Sequence, residues 1–450
     1  MATGQRARRH DLAAAAALAA VVAAAVVVGA VLRANRVPIH ARTAPLFGDW
    51  QQQAGPSSAI AVGVAALVVW YGPVVAQRIR WPALLVAAWA TAAAWIFSLG
   101  LVAGWDRLAG KLERHTEYLH EVPAAPPVPE LFATFADRIV AGQPDSWTTH
   151  VAGHPPGALA FFVLLDRVGL GGGAWAIVVV SSLGATACVA VAVAVRSADS
   201  EAMARRALPF LVLAPAAVWI GTSADGLFLA VSAWGVALLA VACRRRAGPG
   251  MAVIAAAAGL LFGVSLYLSY GLVLIGTIAL AVLTVTRRVV PGVIALGGVL
   301  AVVLVTTWAG FAWWDGMHLV TVRYYQGWGA TRPYSYWVWA NLAAVALAAG
   351  PAVAPGIRRA VIRVARPNRD RQITERDGVG TAAVVLAAVA AIIAANLSGL
   401  SKGEVERIWL PFTGWLIAAC ALLPRRDHRW WLALQAVTTL VIVHLTLPGF

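Results

Sequence analysis

The sequence predicts an all-α protein that crosses a membrane many times. Three observations predict it. Sixty per cent of the 450 residues are hydrophobic and only 12% are charged, about half the charged share of a soluble domain. Apolar runs of about 20 residues, the length a helix needs to cross the hydrocarbon, recur along the whole chain. Arginines gather in the short connectors between those runs. A soluble core could not hide this much apolar surface. A soluble enzyme, a DNA-binding protein and a disulfide scaffold are therefore excluded. Cys188, Cys243 and Cys420 stand far apart in apolar surroundings, with no Cys-x-x-Cys or Cys/His metal spacing, and read as small buried hydrophobes.

In chain order, thirteen stretches qualify as spans: 12–32, 58–76, 82–104, 173–195, 207–222, 224–243, 250–268, 270–286, 290–313, 334–354, 379–398, 406–424 and 430–447. The first follows Arg6, Arg8, Arg9 and His10, a start like that of a signal peptide. Its apolar core of 21 residues is too long for one and no small-x-small cleavage site follows, so it reads as an uncleaved anchor with its N-terminus inside. A fourteenth apolar piece, 157–170, is short and ends in Asp166-Arg167; it reads as a juxtamembrane helix at the interface. Gly259-xxx-Gly263 marks a close helix–helix contact. The chain divides into 1–81 (cytoplasmic tail and first two spans), 82–424 (a transmembrane core with a large outer loop, 105–172) and 425–450 (a last span).

Charge orients these spans. With 157–170 outside, the inner segments carry 23 Lys+Arg against 7 Asp+Glu, and the outer segments 12 against 13, a split of +16 and −1 within the total of +15. The inner arginines fall at Arg78/Arg80, Arg205/Arg206, Arg244–Arg246, Arg287/Arg288, seven positions from Arg358 to Arg376, and Arg425/Arg426/Arg429. This is the positive-inside pattern: a multi-pass plasma-membrane protein with a cytoplasmic N-terminus. Basic charge spread over many loops forms no single patch for nucleic acid.

The polar residues that could do chemistry lie outside. In 105–122, a helical reading sets Glu113, Glu117 and Glu121 on one face beside a stripe of Arg107, Lys111 and Arg114. Like charges four apart repel, so the acids are either a solvated face balanced by the bases or a tuned catalytic carboxylate. Tyr118 follows Glu117 and offers a ring to cover a sugar. His154-Pro155-Pro156-Gly157 opens the juxtamembrane helix, where free N–H groups favour an anion. Asp225, in a Gly-Thr-Ser-Ala-Asp-Gly turn between two spans, is a helix cap or a cavity-lining acid. Arg323 with Tyr324, Tyr325 and Trp328, followed by Arg332, is either an interfacial aromatic belt or a phosphate-and-sugar site. Lys402-Gly403-Glu404-Val405-Glu406-Arg407 stands just before Ile408-Trp409-Leu410-Pro411, and charges so near a span need partners.

Taken together, Glu117-Tyr118-Leu119, His154-Pro155-Pro156-Gly157, Ala214-Pro215 leading to Ser223-Ala224-Asp225, and Glu406-Arg407-Ile408-Trp409-Leu410-Pro411 resemble, in order and over about 105–412, the GT-C class of membrane glycosyltransferases. The chain departs from that class in two extra N-terminal spans. TEYLHEVP, THVAGHPPGALAFFVLLDR and KGEVERIWLPF look more narrowly like the actinobacterial methylthioxylose transferase family.

The resemblance implies a GT-C-like fold, a polyprenyl-phosphate-linked sugar as donor, and an envelope glycan such as lipoarabinomannan as acceptor. The donor sugar would be methylthioxylose or another pentose, and the site extracytoplasmic. Under it Glu117 is the catalytic base, with Asp49 and Asp106 as rivals. Arg323 and Arg407 bind phosphate with His154 in support, Tyr118 and Tyr324 face the sugar, and Asp225 and Glu406 orient substrate or arginine. No cofactor is assigned; the outer acids leave room for a divalent cation, but no spacing demands one. The competing readings are a transporter or lipid-linked-sugar flippase, which would show repeats and midplane polar groups, and an envelope scaffold.

Overall fold

The computed structural model describes residues 2–365 and 378–449. They form an all-α assembly with one small β ribbon. Eight helices are long and apolar enough to cross a membrane, or nine with one bent pair counted as a span. The chain is thus a polytopic helical membrane protein. The eight are Gln5–Ala34, Pro56–Arg78, Trp81–Ala103, Gly173–Ala198, Asp225–Arg244, Pro249–Leu268, Val290–Trp308 and Val379–Leu397.

Asp225–Arg244 is the most enclosed of these. It packs against Ala187–Ala198, Gly173–Ala185 and Pro249–Leu268. The expected glycine contact is present: a Cβ on Gly259 would run into the Ala295 carbonyl, and one on Gly263 would come within 2.6 Å of Val302 Cβ. These small residues let Pro249–Leu268 and Val290–Trp308 approach closely, as helices in lipid do when packing must replace hydrophobic burial.

The other five expected spans are shorter or bent. In 207–222 the helix Glu201–Val212 stops before Pro215, and only Ala217–Ile220 resumes it. Proline cannot donate into the ladder. The carbonyls near the break find other donors: Trp95 Nε1 reaches Ala214 O at 3.2 Å, and Gln435 Nε2 reaches Phe210 O at 3.2 Å. Interrupted backbone is tolerated at membrane depth when it is satisfied in this way. The 270–286 stretch begins as a 3₁₀ turn, Tyr270–Leu274, and 406–424 divides into Val405–Ile408, Leu410–Ile417 and a 3₁₀ turn. Tyr334–Ala349 and Val353–Ala365 bend by 101° around Gly350, whose φ is +90°. His428–Leu445 carries Arg429, Gln435 and His444 and is less apolar than the eight.

Two strands escape the periodicity of the sequence. Gly48–Trp50 pairs antiparallel with Thr446–Pro448, Asp49 opposite Leu447. The main core runs from Leu46 to Val443 and includes Pro56–Arg78 and His428–Leu445, while Gln5–Ala34 packs on Tyr334–Ala349 in a smaller cluster around Ala25 and Trp337.

The connectors sort into two ends. At one, Lys111 Nζ donates to Pro448 O, Arg323 to Trp147 O, and Arg332 to Lys402 O and His40 O. At the other, Arg358 and Arg359 hold Asp11, Arg205 donates to Ala76 O, and Asp199 accepts from Gly378 N and Thr381 N. The segments expected outside contact one another, and so do the arginine-rich ones expected inside. Arg366, Arg369, Arg371 and Arg376 lie outside the described residues.

Candidate functional site

Glu113, Glu117 and Glu121 do not share a helix face. The helix Trp105–Ala109 is five residues long, and the chain then turns through Glu117 into a 3₁₀ turn, Tyr118–His120. Each carboxylate has a different partner, which resolves the repulsion a stripe would have carried. Glu113 Oε1 accepts from Gly173 N at 2.7 Å, at the start of the next long helix. Glu121 Oε1 accepts from Thr148 N at 2.9 Å, and its other oxygen lies 3.7 Å from Arg138. Glu117 Oε1 lies 2.6 Å from His150 Nδ1.

Glu117 belongs to a buried cluster drawn from five segments of the chain. Its centre is Arg407. Nη1 of Arg407 donates to Asp225 Oδ2 at 3.0 Å. Nη2 reaches His150 Nε2 at 2.6 Å and Glu404 Oε2 at 3.3 Å. Arg332 Nη1 closes the far side on Glu404 Oε1 at 3.0 Å. A guanidinium only donates, so His150 Nε2 accepts from Arg407 and Nδ1 carries the hydrogen, close to Glu117 Oε1 but off the line of a hydrogen bond. His150 thereby couples the carboxylate to the arginine in one line.

The surroundings tune these groups. Burial pushes the Glu117 carboxyl up, but the adjacent His150 and the nearby Arg407 outweigh that and hold it below the ordinary glutamate value. Glu404 behaves likewise: burial raises it, and Arg332 and Arg407 bring it down further than burial lifts it. Both are carboxylates at neutral pH, ready to accept a proton. Glu404 also has a φ of +63°, a left-handed conformation uncommon outside glycine, which turns its side chain back onto the two arginines.

The remaining expected residues are placed as follows. Asp225 is the first residue of its helix, where the dipole favours an acid; its carboxylate serves Arg407 and caps no backbone N–H. His154 is buried, and its Nδ1 lies 2.8 Å from both His150 O and Tyr118 Oη. Burial takes its pKa down to about 4, so it is a neutral support for His150 and no cation for phosphate. Tyr118 is enclosed, with its ring stacked on Phe162 at 5.2 Å. It has no face left for a sugar. Glu406 Oε1 accepts from Phe47 N at 2.6 Å and so orients the 47–50 segment. Arg323 and Tyr324 sit at the rim: Arg323 Nη2 donates to Trp147 O at 3.2 Å, and Tyr324 Oη accepts from Lys402 N at 3.0 Å. The rival acids stay out of the cluster. Asp49 pairs with Arg42 at 3.1 Å in the ribbon, and Asp106 is exposed.

From sequence, Arg332 and Glu404 read only as parts of their charged segments, and His150 has no individual role. His150 stands four residues before His154, a spacing that sets both on one helical turn, and that was its only local signal. Exposed aromatics ring this end, among them Trp50, Trp328 and Tyr325. Among the described residues, no group of three or more His, Cys, Asp or Glu is arranged to hold a metal ion. Comparison with known proteins finds no matching family model, no curated relative and no solved structure.

Proposed function

We propose that the chain is a membrane glycosyltransferase that moves a sugar from a polyprenyl-phosphate donor to an envelope glycan, by inverting displacement on the extracytoplasmic side. The observation that supports this reading best is the line Glu117–His150–Arg407–Asp225, buried at the end opposite the arginine-rich connectors. An ionised carboxylate can accept a proton, and its place in this line fixes its orientation; a pKa below the ordinary value makes it a weaker base than one tuned toward neutrality. The positive-inside distribution supports the sidedness.

In this mechanism the acceptor hydroxyl gives its proton to Glu117 as its oxygen bonds to the anomeric carbon. The bond from that carbon to the donor phosphate oxygen breaks, and polyprenyl phosphate leaves with the electron pair. Arg323 is the phosphate partner this reading favours, because among the described residues its guanidinium donates to a backbone carbonyl, Trp147 O, and has further donors for an anion. Arg407 is committed to two carboxylates and an imidazole, so its role is to hold Asp225, Glu404 and His150 in place. Trp50, rather than Tyr118, offers an exposed ring to a sugar; Trp328 is stacked on His40, and Lys402 lies over Tyr325. The donor pentose, the lipoarabinomannan-type acceptor and the GT-C-like arrangement rest on the sequence resemblance.

The interrupted helices at 213–216 and 270–274 favour the transporter or flippase reading, since transporters bind substrate at such breaks. Against it, the freed carbonyls near Pro215 are taken by Trp95 and Gln435. Purified protein in liposomes, given polyprenyl-phosphate-linked pentose and a mannoside acceptor, separates the two. Release of polyprenyl phosphate with a new glycoside supports the transferase. Movement of intact lipid-linked sugar between leaflets, with no release, supports the flippase and overturns the proposal.

A further inference from the structure

The arginine-rich end carries a second feature that the transferase reading does not use. A cavity of about 290 Å³ opens there between the helices Pro56–Arg78 and His428–Leu445. Its polar lining is Gln77, Arg206, Arg425, Arg426, His428 and Arg429. Arg206 comes from a third helix, Glu201–Val212, so four arginines from three elements converge on one space. Among the described residues Asp427 lies beside them, 3.8 Å from Arg426 and 3.8 Å from Arg8. The cavity lining itself contains four arginines and no carboxylate.

Ordinary surface arginines diverge into solvent, because like charges repel. Here the fold holds them around a concavity large enough for a phosphate and its ester groups. Apolar side chains of the same two helices are exposed beside these arginines. Trp70 is 62% exposed and Trp430 74%, and Val74 and Leu434 are also exposed. Arg429 stacks over Trp70 at 5.9 Å, a contact that fixes an arginine where aromatic side chains meet the membrane interface. A phosphate in the cavity would therefore have its ester carbons beside rings and aliphatic groups that face lipid.

We infer that this cavity is a binding site for the phosphodiester headgroup of an anionic membrane phospholipid, with Arg425, Arg426 and Arg429 as the phosphate donors and the Trp70/Trp430 surface receiving the acyl chains. Basic recesses between membrane helices are suited to such headgroups, and each arginine close to an anionic lipid adds to the attraction. The site is independent of the transferase assignment and lies at the opposite end from Glu117.

The test uses the purified full chain in a non-ionic detergent. Short-chain phosphatidylglycerol, short-chain phosphatidylcholine and inorganic phosphate are titrated separately, with bound ligand counted by native mass spectrometry and thermal unfolding followed in parallel. Saturable binding of phosphatidylglycerol, with neither of the others replacing it, is expected. The triple variant Arg425→Gln/Arg426→Gln/Arg429→Gln should bind about tenfold more weakly or worse. The variant Arg244→Gln/Arg245→Gln/Arg246→Gln, which removes the same charge from a neighbouring connector, should bind as the parent does. Arg426→Gln alone, at an exposed position, keeps the test open if the triple variant does not fold, and should still weaken binding. Equal loss in both triple variants, or equal binding of phosphatidylcholine, overturns the site. Saturation by inorganic phosphate alone overturns the lipid assignment.

Discussion

Replacing Asp225 with asparagine removes one charge from the centre of the cluster while leaving its volume nearly unchanged. The Asp225 and Arg407 side chains are 3% and 6% exposed, with Oδ2 and Nη1 3.0 Å apart. At an effective dielectric of about 20, two unit charges about 4 Å apart interact by about 4 kcal/mol. Breaking a buried pair typically costs about 3–5 kcal/mol, because the surviving charge stays desolvated. Arg407 keeps Glu404 at 3.3 Å and has Glu117 within electrostatic reach, which places the expected loss at the lower end, about 3 kcal/mol. Arg407→Met should cost at least as much, since it strands two carboxylates. The double variant Asp225→Asn/Arg407→Met should then cost about 2 kcal/mol less than the sum of the two singles, because no unpaired arginine remains to be paid for by the second change. The assay is reversible unfolding in mixed micelles titrated with SDS, on all four forms. Additivity to within about 0.5 kcal/mol would mean that the two side chains do not act as a pair, and the description of the cluster would fail.

Three further outcomes follow from the same geometry. His150 Nδ1, 2.6 Å from Glu117, helps to lower its carboxyl, so in His150→Gln the acid limb of the transferase pH–rate profile should move to higher pH; an unmoved limb would detach His150 from the base. Burial takes Lys111 from 10.5 down to about 7, so between those values the folded protein binds fewer protons than the unfolded chain, and stability should rise as pH climbs from about 7 to about 10. Thermal midpoints of the wild type and Lys111→Met across that window test this, and an equal slope in both would refute it. Gly259→Ala should destabilise by pushing the helix away from Ala295, whereas Gly297→Ala, with nothing within 4 Å of the added Cβ, should be neutral or mildly stabilising; unfolding of the two variants should therefore differ by about 1 kcal/mol or more, and equal values would contradict the close contact.

The sequence was most legible where physics is local. Long apolar runs identified the eight full-length helices, the Gly259/Gly263 spacing identified a close contact, and the arginine bias sorted the connectors into the two groups that meet in space. It was least legible where distant backbone decides. A 16-residue apolar run through Pro215 looks like a span, because nothing local reveals that Trp95 and Gln435 stand ready to satisfy the broken ladder. The ribbon pairs residues nearly 400 positions apart over three residues, too few for alternation to register. At the site, Glu117, Asp225 and Arg407 stood out as acids and a base beside apolar spans. Their connector, His150, did not, because its role comes from lying between two charges supplied by segments far along the chain. The acidic stripe was the converse error: a repeat of four suggests a helix, but each glutamate had a stronger claim elsewhere.

The central claim is that Glu117 is the base of a lipid-linked sugar transferase. The direct test is to express Glu117→Gln in a strain lacking the chromosomal copy and compare its envelope glycans and lipid-linked sugars with those of the wild type at equal protein abundance in the membrane. The account predicts loss of one sugar from an envelope glycan, with its polyprenyl-phosphate donor accumulating. Full complementation by the glutamine variant would contradict it.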